Sequence, residues 1–213
     1  MKKSMPWIRC AGFLVGLAVI LGICDFCFAP SGYVRFILHE VNRKDTQYDT
    51  IILGASHARS AINPEYLDEE LGTNTLNLAI PGETVKDAYY LLKDACESND
   101  VKTVIMDVDY QYWMDEQPQG YFTEPFICQN ITNLKVKTEY LLDNWDTIDL
   151  RNVLVRRLSW DCTWSSVKQN VSTKMTEAYR EYSIEAAGVD GKVEGADGPY
   201  TVSYTHLRAH ETS

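Results

Sequence analysis

Histidine is scarce in this chain, with 4 among 213 residues. Beyond residue 30 there is no Cys-x-x-Cys and no grouping of Cys and His at metal-binding spacing, which excludes the zinc modules such spacings announce. A phosphate-cradling glycine loop is also missing, and with it the P-loop and dinucleotide-binding classes. No internal repeat occurs, so a solenoid is excluded. Positive charge is in deficit: 20 Lys and Arg face 30 Asp and Glu, for a formal net charge of −10. Setting aside Lys2, Lys3, Arg9 and Arg208 among the bases and Asp25 and Glu211 among the acids leaves 16 against 28, or −12. Such a body lacks the basic footprint that nucleic acids require. No nucleic-acid partner, metal or cofactor is expected.

What is present is a folded body on an apolar leader. The 45% apolar and 11% aromatic content belongs to a globule rather than a disordered chain. From Cys10 to Cys24 the sequence is uncharged, and Phe26 to Ala29 extends the run past Asp25. About twenty such residues cross a bilayer. Lys2, Lys3 and Arg9 precede the run, which places the N-terminus in the cytoplasm and the body outside. Pro30 after Cys27-Phe28-Ala29 disfavours signal-peptide cleavage, so an uncleaved anchor is the reading favoured. Leu21-Gly22-Ile23-Cys24 departs from a lipoprotein box at the bulky Ile23. Of the remaining cysteines, Cys96, Cys128 and Cys162 are odd in number and widely spaced. Buried free thiols are the favoured reading, with one disulfide as the alternative.

The segment richest in chemistry is Tyr48-Asp-Thr-Ile-Ile-Leu-Gly-Ala-Ser-His57. Thr50 to Leu53 reads as a buried parallel strand, and Gly54 permits a sharp turn at its end. Ser56 then lies where open α/β sheets bind ligands and near the start of a helix, whose free N–H groups can hold an oxyanion. Two roles stand open for Ser56, helix N-cap and nucleophile. Thr75 to Ile80 is a second strand-like run, broken by Pro81-Gly82-Glu83-Thr84, and Gly82 offers an unhindered N–H at the same sheet end. A third run, Val101 to Met106, leads into Asp107-Val108-Asp109-Tyr110.

These three segments together resemble the SGNH (GDSL-like) hydrolase superfamily, most closely its membrane-anchored DltD-like members. Gly54-Ala55-Ser56-His57 corresponds to the block carrying the nucleophile, Asn77 to Gly82 to the block whose Gly supplies an oxyanion N–H, and Asp107 to Trp113 to the third. The likeness covers roughly residues 30 to 115. It implies an α/β, flavodoxin-like three-layer fold with a parallel sheet, with Ser56 as catalytic nucleophile and the N–H groups of Ser56 and Gly82 as the oxyanion site. The chain departs from the pattern in three places. Ala55 stands where an acid is usual, and Asp107-Val108-Asp109 replaces Gly-x-Asn, as in DltD-like members; an ionised carboxylate cannot donate to an oxyanion. The Asp-x-x-His that carries the base is missing.

Val202-Ser-Tyr-Thr-His-Leu-Arg-Ala-His-Glu-Thr212 matches the translation of a common transposase-derived sequencing adapter. His206 and His210 fall inside it and are set aside as bases. The expected organisation is residues 1–30 as cytoplasmic tip and anchor, 31–200 as an extracytoplasmic α/β domain incomplete at its C-terminus, and 201–213 as a foreign tail, the base lost with the missing end.

The remaining elements follow from pattern. Gly32 to Lys44 reads as a juxtamembrane helix with Val34, Ile37, Leu38 and Val41 on one face and His39 toward solvent. Asn63 caps a helix over Pro64 to Leu71. Thr84 caps an amphipathic helix to Glu97, and Leu134 to Trp160 reads as two helices meeting near Asn144 to Thr147. Tyr110, Tyr112, Trp113, Tyr121 and Phe122 form an aromatic-rich stretch, and Ala186 to Pro199 a loop. His57 diverges from Ser56 by about 100° on a helix and takes a structural role. The function expected from the resemblance is a membrane-anchored serine esterase or O-acyltransferase, its partners the lipid bilayer and an acylated cell-envelope polysaccharide. The alternative is a non-catalytic surface or scaffold protein on the same fold.

Overall fold

A long apolar helix leads the chain. The structure, a computed structural model, describes residues 5–30, 32, 34–108, 123–146, 160 and 162–182. Helix α1, Met5–Phe28, has 24 residues and is about 36 Å long at 1.5 Å per residue. Trp7, Ile8, Phe13, Leu14, Val15, Val19 and Ile20 along it are all exposed. Its stretch Trp7–Phe28 is long and apolar enough to cross a membrane.

Helix α2, Val34–Val41, buries Val34, Ile37, Leu38 and Val41 as its spacing predicts. The chain then enters strand β1, Thr50–Leu53, short helices α3, Ser56–Ala61, and α4, Pro64–Leu71, and strand β2, Thr75–Asn77. Helix α5, Val85–Ser98, leads to strand β3, Thr103–Met106. Helices α6, Thr123–Asn130, α7, Leu134–Asp143, α8, Trp164–Lys174, and α9, Glu177–Arg180, complete the described chain.

The sheet is parallel with order β2-β1-β3. Thr50 faces Thr75 on one side and Thr103 on the other. Ladder bonds run past the end of β2, with the Leu78 N–H donating to the Ile52 carbonyl at 2.9 Å and Ile80 to Gly54 at 3.1 Å. Side chains of β1 alternate between two apolar clusters. Ile51 and Leu53 pack with Leu91 and Ala95 of α5 and Ile37 and Leu38 of α2. Ile52 packs with Ala58 of α3 and Ala79, flanked by Ile62 and Leu67. The chain crosses from β1 to β2 in one direction and from β2 to β3 in the other. Right-handed crossovers then place the connecting helices on opposite faces. Strand β3 is an outer strand of the described sheet, and Val104 and Met106 stay 42% and 39% exposed.

Helix α5 is held by polar contacts on its buried side. Thr84 and Asp87 form a reciprocal capping box. Buried Asp87 also accepts a 2.6 Å hydrogen bond from the Tyr140 hydroxyl of α7. Burial pushes the Asp87 carboxyl above the usual carboxylate range, and the bonds from Tyr140 and Thr84 pull against it. Asp94 accepts from Asn42 at 2.9 Å. The Asn99 side chain joins the end of α2 to the start of β1, donating to Val41 and accepting from the Tyr48 N–H.

Two readings need correction here. His39 is not solvated: it is half-buried and stacks on Tyr182 at 3.8 Å, and burial lowers its pKa. The cysteines are free, but Cys96 and Cys162 are exposed and among the body's three only Cys128 is buried. Helix α7 ends at Asp143 with Asn144 at its C-cap. The aromatic stretch from Tyr110, the second helix expected before Trp160 and the Ala186–Pro199 loop lie outside the described residues. Tyr140→Phe should leave Asp87 short of its buried donor and destabilise the detergent-solubilised chain by about 1–3 kcal/mol. Urea unfolding checks this, as a lower midpoint at unchanged slope.

Candidate functional site

The carboxyl end of β1 is where the sequence concentrates its signals. Gly54 adopts φ +149. A Cβ there would lie 2.7 Å from the Cβ of Ala58 and 2.9 Å from that of Asp107. Glycine thus lets α3 and the segment after β3 close on the same point of the backbone.

Ser56 follows as the first residue of α3 and is exposed. Ala55 occupies the N-cap position, with φ −85, ψ −153 and no side-chain cap bond. The N-cap alternative for Ser56 therefore fails, because the helix begins one residue too early. The Ser56 side chain forms no hydrogen bond with another described residue. Ser56 and His57, the first two residues of α3, are both exposed at the sheet end.

Gly82 sits at the third position of a tight turn, Ile80-Pro81-Gly82-Glu83, closed by the Glu83 N–H on the Ile80 carbonyl at 2.8 Å. Its φ of +76 and the preceding proline are those of a type II turn. Gly82 lies two residues beyond Ile80, which bonds to Gly54; Ser56 lies two residues beyond Gly54. The two are therefore at the same end of the sheet. Asp107 joins them from β3, its N–H bonded to the Leu53 carbonyl at 3.0 Å. Asp109 to Trp113, the rest of the third motif, lie outside the described residues, as do His206 and His210.

Two residues that sequence reasoning did not single out hold this end together. Buried Asn77 donates to the carbonyls of Ala58 at 3.1 Å and Ile62 at 3.2 Å, and accepts from the Ala79 N–H. It thereby fixes α3 against β2. Glu83, 5% exposed, accepts from the Ile80 N–H at 2.9 Å, a donor shared with Gly54. The signal for Asn77 was legible, since a polar residue inside an apolar strand run needs a buried partner.

Strand order adds a positional argument. In a sheet ordered β2-β1-β3 the direction of winding reverses after β2, and the crevice at the carboxyl ends beside β1 is the topological switch point where such sheets bind ligands. Ser56 and Asp107 emerge from the two strands that flank it. Of the described histidines, His57 is exposed beside Ser56 on α3, and His39 belongs to α2. The arrangement places the exposed Ser56 and the Gly82 turn at one end of the sheet. No protein-family model, curated protein or solved structure matches the chain.

Gly54→Ala should overpack the turn and force an L-residue into a disfavoured φ, for a loss of about 2–4 kcal/mol. Thermal unfolding would show the drop, and hydrogen exchange would localise it to α3 and β1.

Proposed function

We propose that this chain is a membrane-anchored serine esterase or O-acyltransferase of SGNH type, acting outside the cytoplasm on an acylated cell-envelope glycan or related ester. The observation that carries the reading is Ser56, exposed at the first turn of α3 with no side-chain partner among the described residues, beside the switch point of a 2-1-3 parallel sheet. The three-layer, flavodoxin-like architecture belongs to the same reading, and the two apolar clusters on opposite sides of β1 support it.

In this mechanism the Ser56 Oγ attacks the acyl carbonyl, a C–O bond forms and the hydroxyl proton passes to a base. The N–H groups of Ser56 and Gly82 take the oxyanion, and the leaving alkoxide departs with a proton from that base. Water or an acceptor hydroxyl then releases the acyl group from Ser56. Neither described histidine suits the base by position. His39 is stacked on Tyr182, and His57 diverges from its neighbour along α3 by about 100°. That same observation favours the second reading, a non-catalytic surface protein on this fold.

A fluorophosphonate probe separates the two. In native membranes it should label the wild-type protein and leave Ser56→Ala unlabelled. Equal labelling, or none in either form, would reject Ser56 as a nucleophile. Orientation rests on Lys2 and Lys3 ahead of α1 and Arg9 near its start. A reporter active only outside the cytoplasm, fused after Tyr200, should be active in cells; activity of a cytoplasm-restricted reporter at that position would reverse the assignment.

A further inference from the structure

A cleft distinct from the Ser56 end of the sheet opens at the C-terminal end of α1. It has a volume of about 350 Å³ and falls within the size range of ligand pockets. The last turns of α1 form one wall, through Asp25 and Phe26, and α6 another. Arg35 and Lys174 line it together. A second cleft of about 220 Å³, reaching His39 and Thr132, shares Arg35.

Arg35 is built as a recognition group. Its guanidinium lies 4.2 Å from the ring centre of Tyr179 and 4.3 Å from that of Tyr182. Nη1 donates to the Tyr179 hydroxyl at 2.6 Å. No carboxylate pairs with it among the described residues, and its buried Nε has no partner there. A half-buried guanidinium held flat by two rings has lost the freedom that would otherwise oppose binding, and its fork matches an oxyanion.

Lys174 brings the second positive charge. It is 6% exposed, and its ammonium donates to the carbonyls of Phe26, at 2.8 Å, and Ala29. It caps the negative end of α1 while facing the same cleft. The nearby acid, Asp25, is occupied by the Trp160 indole N–H at 2.9 Å. Trp160 also stacks on Phe28 at 5.4 Å, the aromatic belt expected where a spanning helix leaves the bilayer.

We infer that this cleft binds the phosphate of a membrane phospholipid headgroup, gripped by Arg35 and Lys174 where α1 meets the interface. The inference rests on α1 as an anchor and is independent of Ser56. Its position selects a lipid source. The walls include the final turn of a helix as long as the hydrocarbon core is thick, so the two cations stand at headgroup level.

The test uses the full chain, delipidated in a neutral detergent and titrated with three probes: short-chain phosphatidylglycerol, the matching diacylglycerol, and inorganic phosphate. The phospholipid should bind saturably, the diacylglycerol should not, and inorganic phosphate at equal concentration should fail to displace the phospholipid. Arg35→Gln should weaken phospholipid binding about tenfold or more, and Arg35→Lys by less. Arg43→Gln, which alters an exposed arginine of α2's trailing end paired with Asp45, should change nothing. Equal binding of both lipids, or binding unaffected by Arg35→Gln, would overturn the inference. Full displacement by inorganic phosphate would overturn the lipid source and leave a soluble-oxyanion site. If Arg35→Gln fails to fold by circular dichroism, the wild-type discrimination between the two lipids decides the matter. Fluorophosphonate labelling plays no part in this assay, so the fate of the Ser56 reading does not touch its outcome.

Discussion

Everything in the described body hangs on β1. Its four residues are buried, and the strand is paired with β2 along one edge and β3 along the other. Parallel strands reach that state only when helices cover both faces, which is why α2 and α5 gather on one side and α3 and α4 on the other. The cost of such a central position appears at its exit. Two segments converge within van der Waals distance of Gly54, and only a residue without Cβ fits there.

Around that strand, buried polar side chains act as fixed-length ties. Asn77 joins β2 to α3, and Asn99 joins α2 to the entry of β1. Each replaces contact with water by a protein partner. Removing one partner of such a pair strands the other in a dry interior, at about 1–3 kcal/mol. The Asp87–Tyr140 pair does the same between α5 and α7. The acidic body thus keeps several of its carboxylates inside, in structural service.

Much of this was legible in the sequence because it is local. Asn63 before Pro64 announced α4, and Thr84 with Asp87 announced α5; both caps are made as read. The Val34, Ile37, Leu38, Val41 spacing gave the buried face of α2. At Ser56 the cap signal misled, because Ala55 already has the extended backbone of the cap position. His39 misled for a different reason: its partner Tyr182 is remote in sequence, and helical spacing carries no information about it. The Arg35 and Lys174 cleft was hidden likewise, since neither residue sits in a motif and only the tertiary fold brings them together. The break that Pro81 and Gly82 impose after the second strand run is present as a turn, with Gly82 at positive φ. The catalytic meaning of Ser56 and Gly82 came from the family resemblance and belongs to the proposal.

The sheet's connectivity also fixes an order of assembly on a ribosome. Helices α1 and α2 emerge before Asp49-Thr50-Ile51-Ile52-Leu53, an aliphatic run with a single acid as gatekeeper. Thr50 must wait for Thr75 and then for Thr103 before both edges are closed. Helices α4 and α5, each capped by its own side chains, can nucleate during that wait; the strands cannot, because pairing distant segments requires loop closure before any contact repays it. Translation speed between residues 54 and 103 therefore sets how long the aliphatic run of β1 stays unpaired.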